Sequence, residues 1–113
     1  MNWNRVYDLV KEIPRGRVMT YGRVAKALRL AGGARTAGRA MAACPRGCGV
    51  PWHRVVGAGG RLLIREPRAT LQRKLLETEG LALAEMRILN FRDREWNPRK
   101  SRRRGSVKVK KNR

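Results

Sequence analysis

Acidic residues are scarce in this sequence, with 8 Asp and Glu against 28 Lys and Arg and a formal net charge of +20. No acid occurs between Glu12 and Glu66, a stretch that carries eleven Lys and Arg residues. This balance disfavours cationic partners and favours a polyanion, nucleic acid above all. A solvated basic surface without a ligand is the alternative. Aromatic residues make up 5% of the chain, which argues against a platform that stacks single-stranded bases.

Cysteine, histidine and long apolar runs are equally rare. Cys44 and Cys48 are too few for a disulfide scaffold, and with His53 they offer three zinc ligands without a fourth, so we predict neither a metal nor a cofactor. No apolar run approaches the ~20 residues of a membrane span, and the first residues lack the apolar core of a secretory signal. We therefore expect a soluble protein without a membrane partner, cytoplasmic and nucleoid-associated in a prokaryote or nuclear in a eukaryote.

The 113 residues provide for one modest domain, which we place at residues 1–98. Residues 99–113 carry nine Lys or Arg and no acid, and they are predicted to form a basic, disordered tail. We expect the protein to be a monomer.

The first half of the domain has the pattern of three helices. Apolar residues at the i, i+3, i+4, i+7 spacing predict a helix over residues 3–13. Thr20 is the expected N-cap of a second helix, Gly32 and Gly33 interrupt it, and a third helix follows over residues 34–43. The order helix, glycine turn, helix predicts a helix-turn-helix.

The second half predicts a hairpin and one more helix. Residues 50–56 are expected to be extended and to enter a glycine-rich turn at 57–60, from which residues 61–64 pair back as a short strand. A further helix is predicted over residues 67–79, and residues 81–96 suit strand and helix equally well. The apolar face of that helix is expected to consist of Leu71, Leu75 and Leu76. The fold class is therefore mainly α with a short β-hairpin, a winged helix-turn-helix DNA-binding domain.

The third helix combines small residues with two arginines. Arg35 and Arg39 are four positions apart and project from one face, beside backbone that Ala37 and Gly38 leave almost uncovered. Close packing inside the core is the alternative, but two unpaired arginines on that stripe are costly to bury. The pattern favours a helix that faces DNA.

Five segments between residues 3 and 80 together resemble the C-terminal domain of the O6-alkylguanine-DNA alkyltransferases. Their order and spacing make the resemblance far more specific than a single short motif. The segments are IPRGRV at 13–18, TYG at 20–22, ARTAG at 34–38, PWHRVV at 51–56 and LLETEG at 75–80.

The residue at position 52 differs from the one that the alkyltransferases have there. Their central segment is Pro-Cys-His-Arg-Val, in which the cysteine thiolate accepts the alkyl group, whereas this sequence has Trp52. An indole offers no nucleophile comparable to a thiolate, so we expect no catalytic residue and no enzyme. The chain resembles the alkyltransferase-like subgroup, in which His53 and Glu79 become a structural pair. Use of Cys44 or Cys48 as a replacement nucleophile is the alternative.

The resemblance also implies roles for single residues on the DNA side. Tyr21 is expected to promote rotation of the target nucleotide out of the stack, and Arg35 to enter the duplex and fill the vacated space. Arg39 is expected to contact phosphate, while Ala37 and Gly38 allow a close approach to the minor groove. The pocket for the alkylated guanine is expected to consist of Trp52, His53, Arg54, Val55 and Arg65.

These roles imply one function. The chain is expected to bind double-stranded DNA containing O6-alkylguanine through the minor groove, to flip the damaged base without alkyl transfer, and to pass the lesion to nucleotide excision repair proteins. A basic winged-helix protein that binds duplex DNA regardless of damage is the alternative, since the charge alone supports it.

Overall fold

Three short helices make up the first half of the protein. The computed structural model describes residues 2–45 and 47–98, so the predicted basic tail at 99–113 lies outside the described residues. Helices α1 (Asn4–Lys11), α2 (Tyr21–Leu28) and α3 (Ala34–Ala42) confirm the three predicted ones, with slightly shorter bounds. Within the described ranges, no helix combines the length and apolar character needed to traverse a bilayer.

Local signals explain the turn between α2 and α3. The Thr20 hydroxyl accepts a hydrogen bond from the Arg23 amide at 3.0 Å and caps α2, as predicted. In the turn, Gly32 has a φ of +87°, and a Cβ there would collide with the Thr36 hydroxyl, which donates to the Ala31 carbonyl at 2.6 Å. The helix-turn-helix prediction is confirmed.

The three helices enclose the first hydrophobic core. Their apolar stripes face one another, so the residues at helical spacing lose almost all contact with water. Each fully buried Val, Leu or Met side chain among them contributes about 1.5–3 kcal/mol. The buried set from the helices is Val6, Leu9, Val10, Tyr21, Val24, Ala25, Ala37, Ala40 and Met41.

The second half contains short elements around a second core. A 3₁₀ turn (Trp52–Arg54) leads into strand β2 (Val55–Val56), which pairs in parallel with β1 (Met19–Thr20). The remaining elements are a second 3₁₀ turn (Ala58–Gly60), α4 (Arg68–Thr78), β3 (Leu83–Ala84), β4 (Arg87–Ile88) and α5 (Phe91–Arg94). The second core consists of Val18, Val56, Leu62, Leu76, Leu81 and Ile88.

Two predictions for the second half are wrong in detail. The segment at 50–56 is not extended throughout, because residues 52–54 form a 3₁₀ turn. The short hairpin exists but consists of β3 and β4, within the segment that suited both helix and strand. Residues 61–64 do not pair back on β2, because Val55 and Val56 are fully buried against β1, and Leu62 donates instead to the Met86 carbonyl at 2.8 Å.

Helix α4 also presents a different face to the core than its leucines predict. Leu71 is 45% exposed, and the buried positions are Ala69, Gln72 and Leu76 at i, i+3 and i+7. Leu71 lies off that stripe, so it faces solvent. The buried polar residue Gln72 therefore occupies the centre of the stripe.

Candidate nucleic-acid interface

A cavity of about 690 Å³ lies beside α3. It is formed where the start of α2 and one side of α3 meet the segment that leads into α4. The volume falls within the ~300–1,000 Å³ that is usual for pockets that bind small molecules. The lining residues are Tyr21, Ala34, Arg35, Gly38, Ala42, Leu63, Ile64, Arg65, Glu66, Pro67 and Arg68. We call this surface the cavity face.

The cavity face is rich in unpaired positive charge. Arg35 and Arg65 line it and are exposed, and Arg39 is exposed one turn further along α3. Within residues 2–45 and 47–98, none of these three arginines has an ion-pair or hydrogen-bond partner for its side chain. The one acid of the lining, Glu66, accepts hydrogen bonds from the Thr70 amide and hydroxyl. The surface therefore has cations available for an anionic ligand.

Ala37 and Gly38, which the sequence assigns to DNA contact, have different surroundings in the structure. Ala37 is fully buried in the first core, so its predicted place on the DNA side is wrong. Gly38 lines the cavity, and a Cβ there would meet no atom within 4 Å. The open strip of backbone on α3 is therefore at Gly38, between Arg35 and Arg39.

Tyr21 connects the first core to the cavity. It is the first residue of α2, only 8% exposed, and it packs in the core while also lining the cavity. Burial raises the pKa of its hydroxyl, against a smaller opposing effect of the Arg68 charge. The hydroxyl therefore stays protonated at neutral pH and is a hydrogen-bond donor at the cavity.

Arg68 occupies the place predicted for Trp52 in the cavity wall. Its guanidinium carbon lies 4.3 Å from the centroid of the Trp52 ring, and Nη1 donates to the Ala42 carbonyl at 3.3 Å. Trp52 is half-buried against the first core and is not among the lining residues. A cation over an aromatic face contributes roughly 0.5–2 kcal/mol. The sequence motif singles out Arg65 but gives no signal for Arg68.

His53, Arg54 and Glu79 form a buried hydrogen-bonded group, which we call the Glu79 network. Glu79 Oε2 lies 2.8 Å from His53 Nε2 and 2.7 Å from Arg54 Nη2, and Glu79 Oε1 accepts from Arg54 Nε at 3.0 Å. Arg54 Nη1 donates to the Ile13 carbonyl at 2.8 Å. Arg54 is held by these hydrogen bonds and Val55 is fully buried, and neither is among the residues that line the cavity face.

The surroundings of Glu79 and His53 determine their protonation states. Burial opposes ionisation of Glu79, but hydrogen bonds from Arg54, His53 and the Gly16 amide outweigh it and lower the pKa of Glu79 to about 2. Burial also lowers the pKa of His53 below its ordinary 6.5, although Glu79 partly opposes this. At neutral pH a neutral imidazole therefore donates through Nε2 to a carboxylate.

Two further contacts anchor the Glu79 network to the fold. The Gly16 amide donates to Glu79 Oε1 at 3.1 Å, in a turn where Gly16 has a φ of +83°. Gln72 Nε2 donates to the carbonyls of His53 and Val55 at 3.1 and 3.0 Å. The turn motif at 13–18 and the LLETEG motif thus meet at one carboxylate. The sequence signal for this anchoring role is a polar residue, Gln72, one helical turn before Leu76.

Beside His53 in the sequence motif stands an indole, Trp52, and not a thiol. The Trp52 indole lies edge-on to the His53 ring, with centroids 6.2 Å apart and planes at 86°. The side chains of Cys44 and Cys48 contact each other at 3.2 Å, and His53 Nε2 is taken by Glu79. Among residues 2–45 and 47–98, no three Cys, His, Asp or Glu side chains converge as metal ligands.

A helix-turn-helix with a hairpin wing and a basic cavity beside its second helix defines a winged helix-turn-helix DNA-binding domain. Comparison with known proteins agrees. The sequence model of the 6-O-methylguanine DNA methyltransferase DNA-binding domain matches residues 2–81. The DNA base-flipping protein of Vibrio parahaemolyticus is 32% identical over 83% of this chain and 94% of its own length.

A yeast relative extends the similarity to three dimensions. Alkyltransferase-like protein 1 of Schizosaccharomyces pombe is 36% identical over 85% of this chain and 94% of its own. The crystal structure of that yeast protein with damaged DNA containing O6-carboxymethylguanine superposes with a TM-score of 0.74, at 34% identity over 85% of this chain and 94% of the yeast chain. The chain therefore belongs to the alkyltransferase-like branch of the O6-methylguanine-DNA methyltransferase family.

Proposed function

We propose that this protein binds duplex DNA containing O6-alkylguanine through the minor groove and turns the damaged base into the cavity beside α3 without removing the alkyl group. One observation carries the proposal: the cavity bordered by the unpaired Arg35 and Arg65 is also lined by Arg68, which packs on Trp52 at the position of the family's nucleophilic cysteine. The similarity to a yeast relative solved with O6-carboxymethylguanine DNA supports the same class of ligand.

Arg35 is the group that enters the duplex. It is exposed in the first turn of α3, at the rim of the cavity, and has no partner to give up among the described residues. Extrusion of a base costs a few kcal/mol in lost stacking and pairing. A guanidinium that fills the gap among phosphates offsets part of that cost, while Arg39 contacts the backbone outside the cavity.

The extruded base enters between polar and apolar walls. Tyr21 and Arg68 offer a hydroxyl donor and a cation, while Leu63, Ile64 and Pro67 form the apolar part of the lining. The apolar part receives the alkyl group, and Arg65 adds a second cation near the base. Binding is therefore sensitive to the adduct, although no bond is made or broken.

Preference for damage tests this function against damage-independent binding. Affinity is measured for two duplexes that differ only in one O6-methylguanine, at several salt concentrations, together with the fluorescence of a base analogue placed next to the lesion. We expect tighter binding to the lesion and a fluorescence increase that Tyr21→Phe, which retains the buried ring, reduces. Equal affinity for both duplexes and no fluorescence change would support the damage-independent alternative.

A sensor that leaves its lesion in place acts by presenting it to other proteins. We therefore propose that the bound complex is recognised by the nucleotide excision repair machinery. A reconstituted excision endonuclease from the source organism is given lesion duplex with and without the protein. Faster incision in its presence supports the hand-off, and unchanged or slower incision contradicts it.

A further inference from the structure

The two cysteines of the chain lie against each other in the loop that follows α3. Their sulfur atoms are 3.2 Å apart. Cys44 is buried in the first core, and Cys48 is exposed to solvent. Both thiols are free, and the proposed binding of damaged DNA uses neither of them. An exposed thiol in contact with a buried one is the arrangement of a dithiol that undergoes oxidation in two steps.

We propose that Cys44 and Cys48 are a redox-modification site, in which a small-molecule disulfide such as oxidised glutathione converts the two thiols into an intramolecular disulfide. In the first step the Cys48 thiolate attacks one sulfur of glutathione disulfide, forms a mixed disulfide and releases one glutathione thiolate. In the second step Cys44 loses its proton and attacks Cys48 Sγ, which releases the second glutathione. The two cysteines are oxidised by two electrons, and one glutathione disulfide is reduced to two glutathiones.

The surroundings of the two sulfurs assign the order of these steps. A hydrogen bond with the Val50 backbone, a second with Cys44 and the nearby Lys11 charge lower the pKa of Cys48. Burial, together with the hydrogen bond to Cys48, raises the pKa of Cys44 to about 11. Cys48 is therefore the reachable thiolate that attacks first, and Cys44 resolves the mixed disulfide from inside.

The disulfide needs only a small further approach of the two sulfur atoms. A disulfide requires the sulfurs to approach from 3.2 Å to about 2.05 Å. Between the two cysteines and just beyond them, Gly47 and Gly49 hold φ angles of +74° and +82°, where other residues are strained. The new bond would close a short ring between the end of α3 and the segment that carries Trp52.

Mass spectrometry of the whole protein tests the proposal directly. The reduced protein is incubated with oxidised glutathione, quenched with acid at intervals and weighed intact. We expect a product lighter by two hydrogen atoms, preceded by a transient species carrying one glutathione, and recovery of the original mass on addition of dithiothreitol. A stable glutathione adduct, a covalent dimer or an unchanged mass would each overturn the proposal.

Two serine variants assign the roles of the sulfurs. Cys44→Ser should accumulate the mixed disulfide on Cys48, because the resolving thiol is gone. Cys48→Ser should react at least about tenfold more slowly, because its remaining thiol is buried and protonated. Circular dichroism of both variants checks that they are folded, and equal rates in the two folded variants would contradict the assigned order. The result is independent of DNA binding, so the proposed function can fail while this site stands.

Discussion

The cavity face and the Glu79 network differ in how their charges are satisfied. In the network, one carboxylate accepts from His53, Arg54 and the Gly16 amide, and its side chain is only 5% exposed. On the cavity face, Arg35 and Arg65 are exposed and unpaired among the described residues. Removal of one partner from a paired, buried charge destabilises a fold, whereas unpaired, exposed charge is available to a ligand.

The two regions correspond to different parts of the alkyltransferase site that the sequence resembles. In the alkyltransferases that the sequence resembles, a histidine and a glutamate activate a cysteine. Here Trp52 replaces that cysteine, and His53 and Glu79 remain in contact at 2.8 Å with Arg54 joined to the carboxylate. The network connects the turn at Gly16 to the end of α4 and to the 3₁₀ turn at residues 52–54. Substitutions in the network should therefore affect folding, and substitutions on the cavity face should affect recognition.

The largest effect is expected from Glu79→Gln. The change leaves the Arg54 guanidinium without its charged partner, and loss of one member of a buried ion pair costs about 3–5 kcal/mol. The free energy of unfolding is measured by urea denaturation. Glu77→Gln is the matched control, since its pairing with Arg73 is exposed and contributes about 0–1 kcal/mol. Equal losses in the two variants would show that the network does not support the fold.

Arg35→Ala should have the next largest effect, on recognition alone. We expect the preference for O6-methylguanine over guanine duplex to fall at least about tenfold, because the gap left by the base is no longer filled. Arg39→Ala is the control and should weaken binding to both duplexes alike, with a flatter salt dependence. Loss of affinity on both duplexes to the same extent in Arg35→Ala would contradict its role in extrusion. The free energy of unfolding should be unchanged in both variants.

Gly38→Ala is expected to change stability and DNA binding in opposite directions. No atom lies within 4 Å of the added Cβ, and alanine favours a helix over glycine by about 0.5–1 kcal/mol. We expect a slightly more stable protein that binds duplex DNA more weakly, because the methyl group holds α3 away from the minor groove. Urea denaturation and fluorescence anisotropy measure the two quantities. Unchanged affinity would place DNA elsewhere on the protein.

The smallest effect is a pH dependence from His53, the single histidine of the chain. Burial lowers its pKa in the folded protein, so below pH 6.5 the unfolded state takes up a proton more readily than the folded state. The free energy of unfolding should therefore decrease as the pH falls below 6.5. Glu79 contributes a separate loss in more acid solution, as the pH falls from 4.5 towards about 2. A His53→Gln variant that keeps the full decrease near pH 6 would contradict the assignment.

Local patterns allowed much of the first half to be predicted from the sequence. Apolar spacing and the Thr20 cap act within one helix, so they fix α1 to α3 without reference to the rest of the chain. The partner of β2 depends on contacts between distant residues. Val55 pairs with Met19, not with the adjacent segment at 61–64, and no local signal encodes that choice. The hairpin was therefore predicted at the wrong place.

In the candidate interface, too, contacts between residues distant in sequence could not be predicted. The motif identified His53 and Glu79, but the position of Arg54 in their network follows from where the chain packs. Ala37 and Gly38 are adjacent in sequence, yet a rotation of about 100° per residue puts one in the core and the other in the cavity. Arg68 reaches Trp52 across sixteen positions of sequence, a contact that only the folded chain creates.

The proposed function is recognition of O6-alkylguanine without alkyl transfer. The most direct test mixes the purified protein in excess with a duplex containing one O6-methylguanine, then measures its binding against the unmodified duplex and the masses of protein and DNA afterwards. We predict preferential binding with both masses unchanged. A methyl group gained by the protein at Cys44 or Cys48 would make it an alkyltransferase and contradict the account, as would equal affinity for the two duplexes.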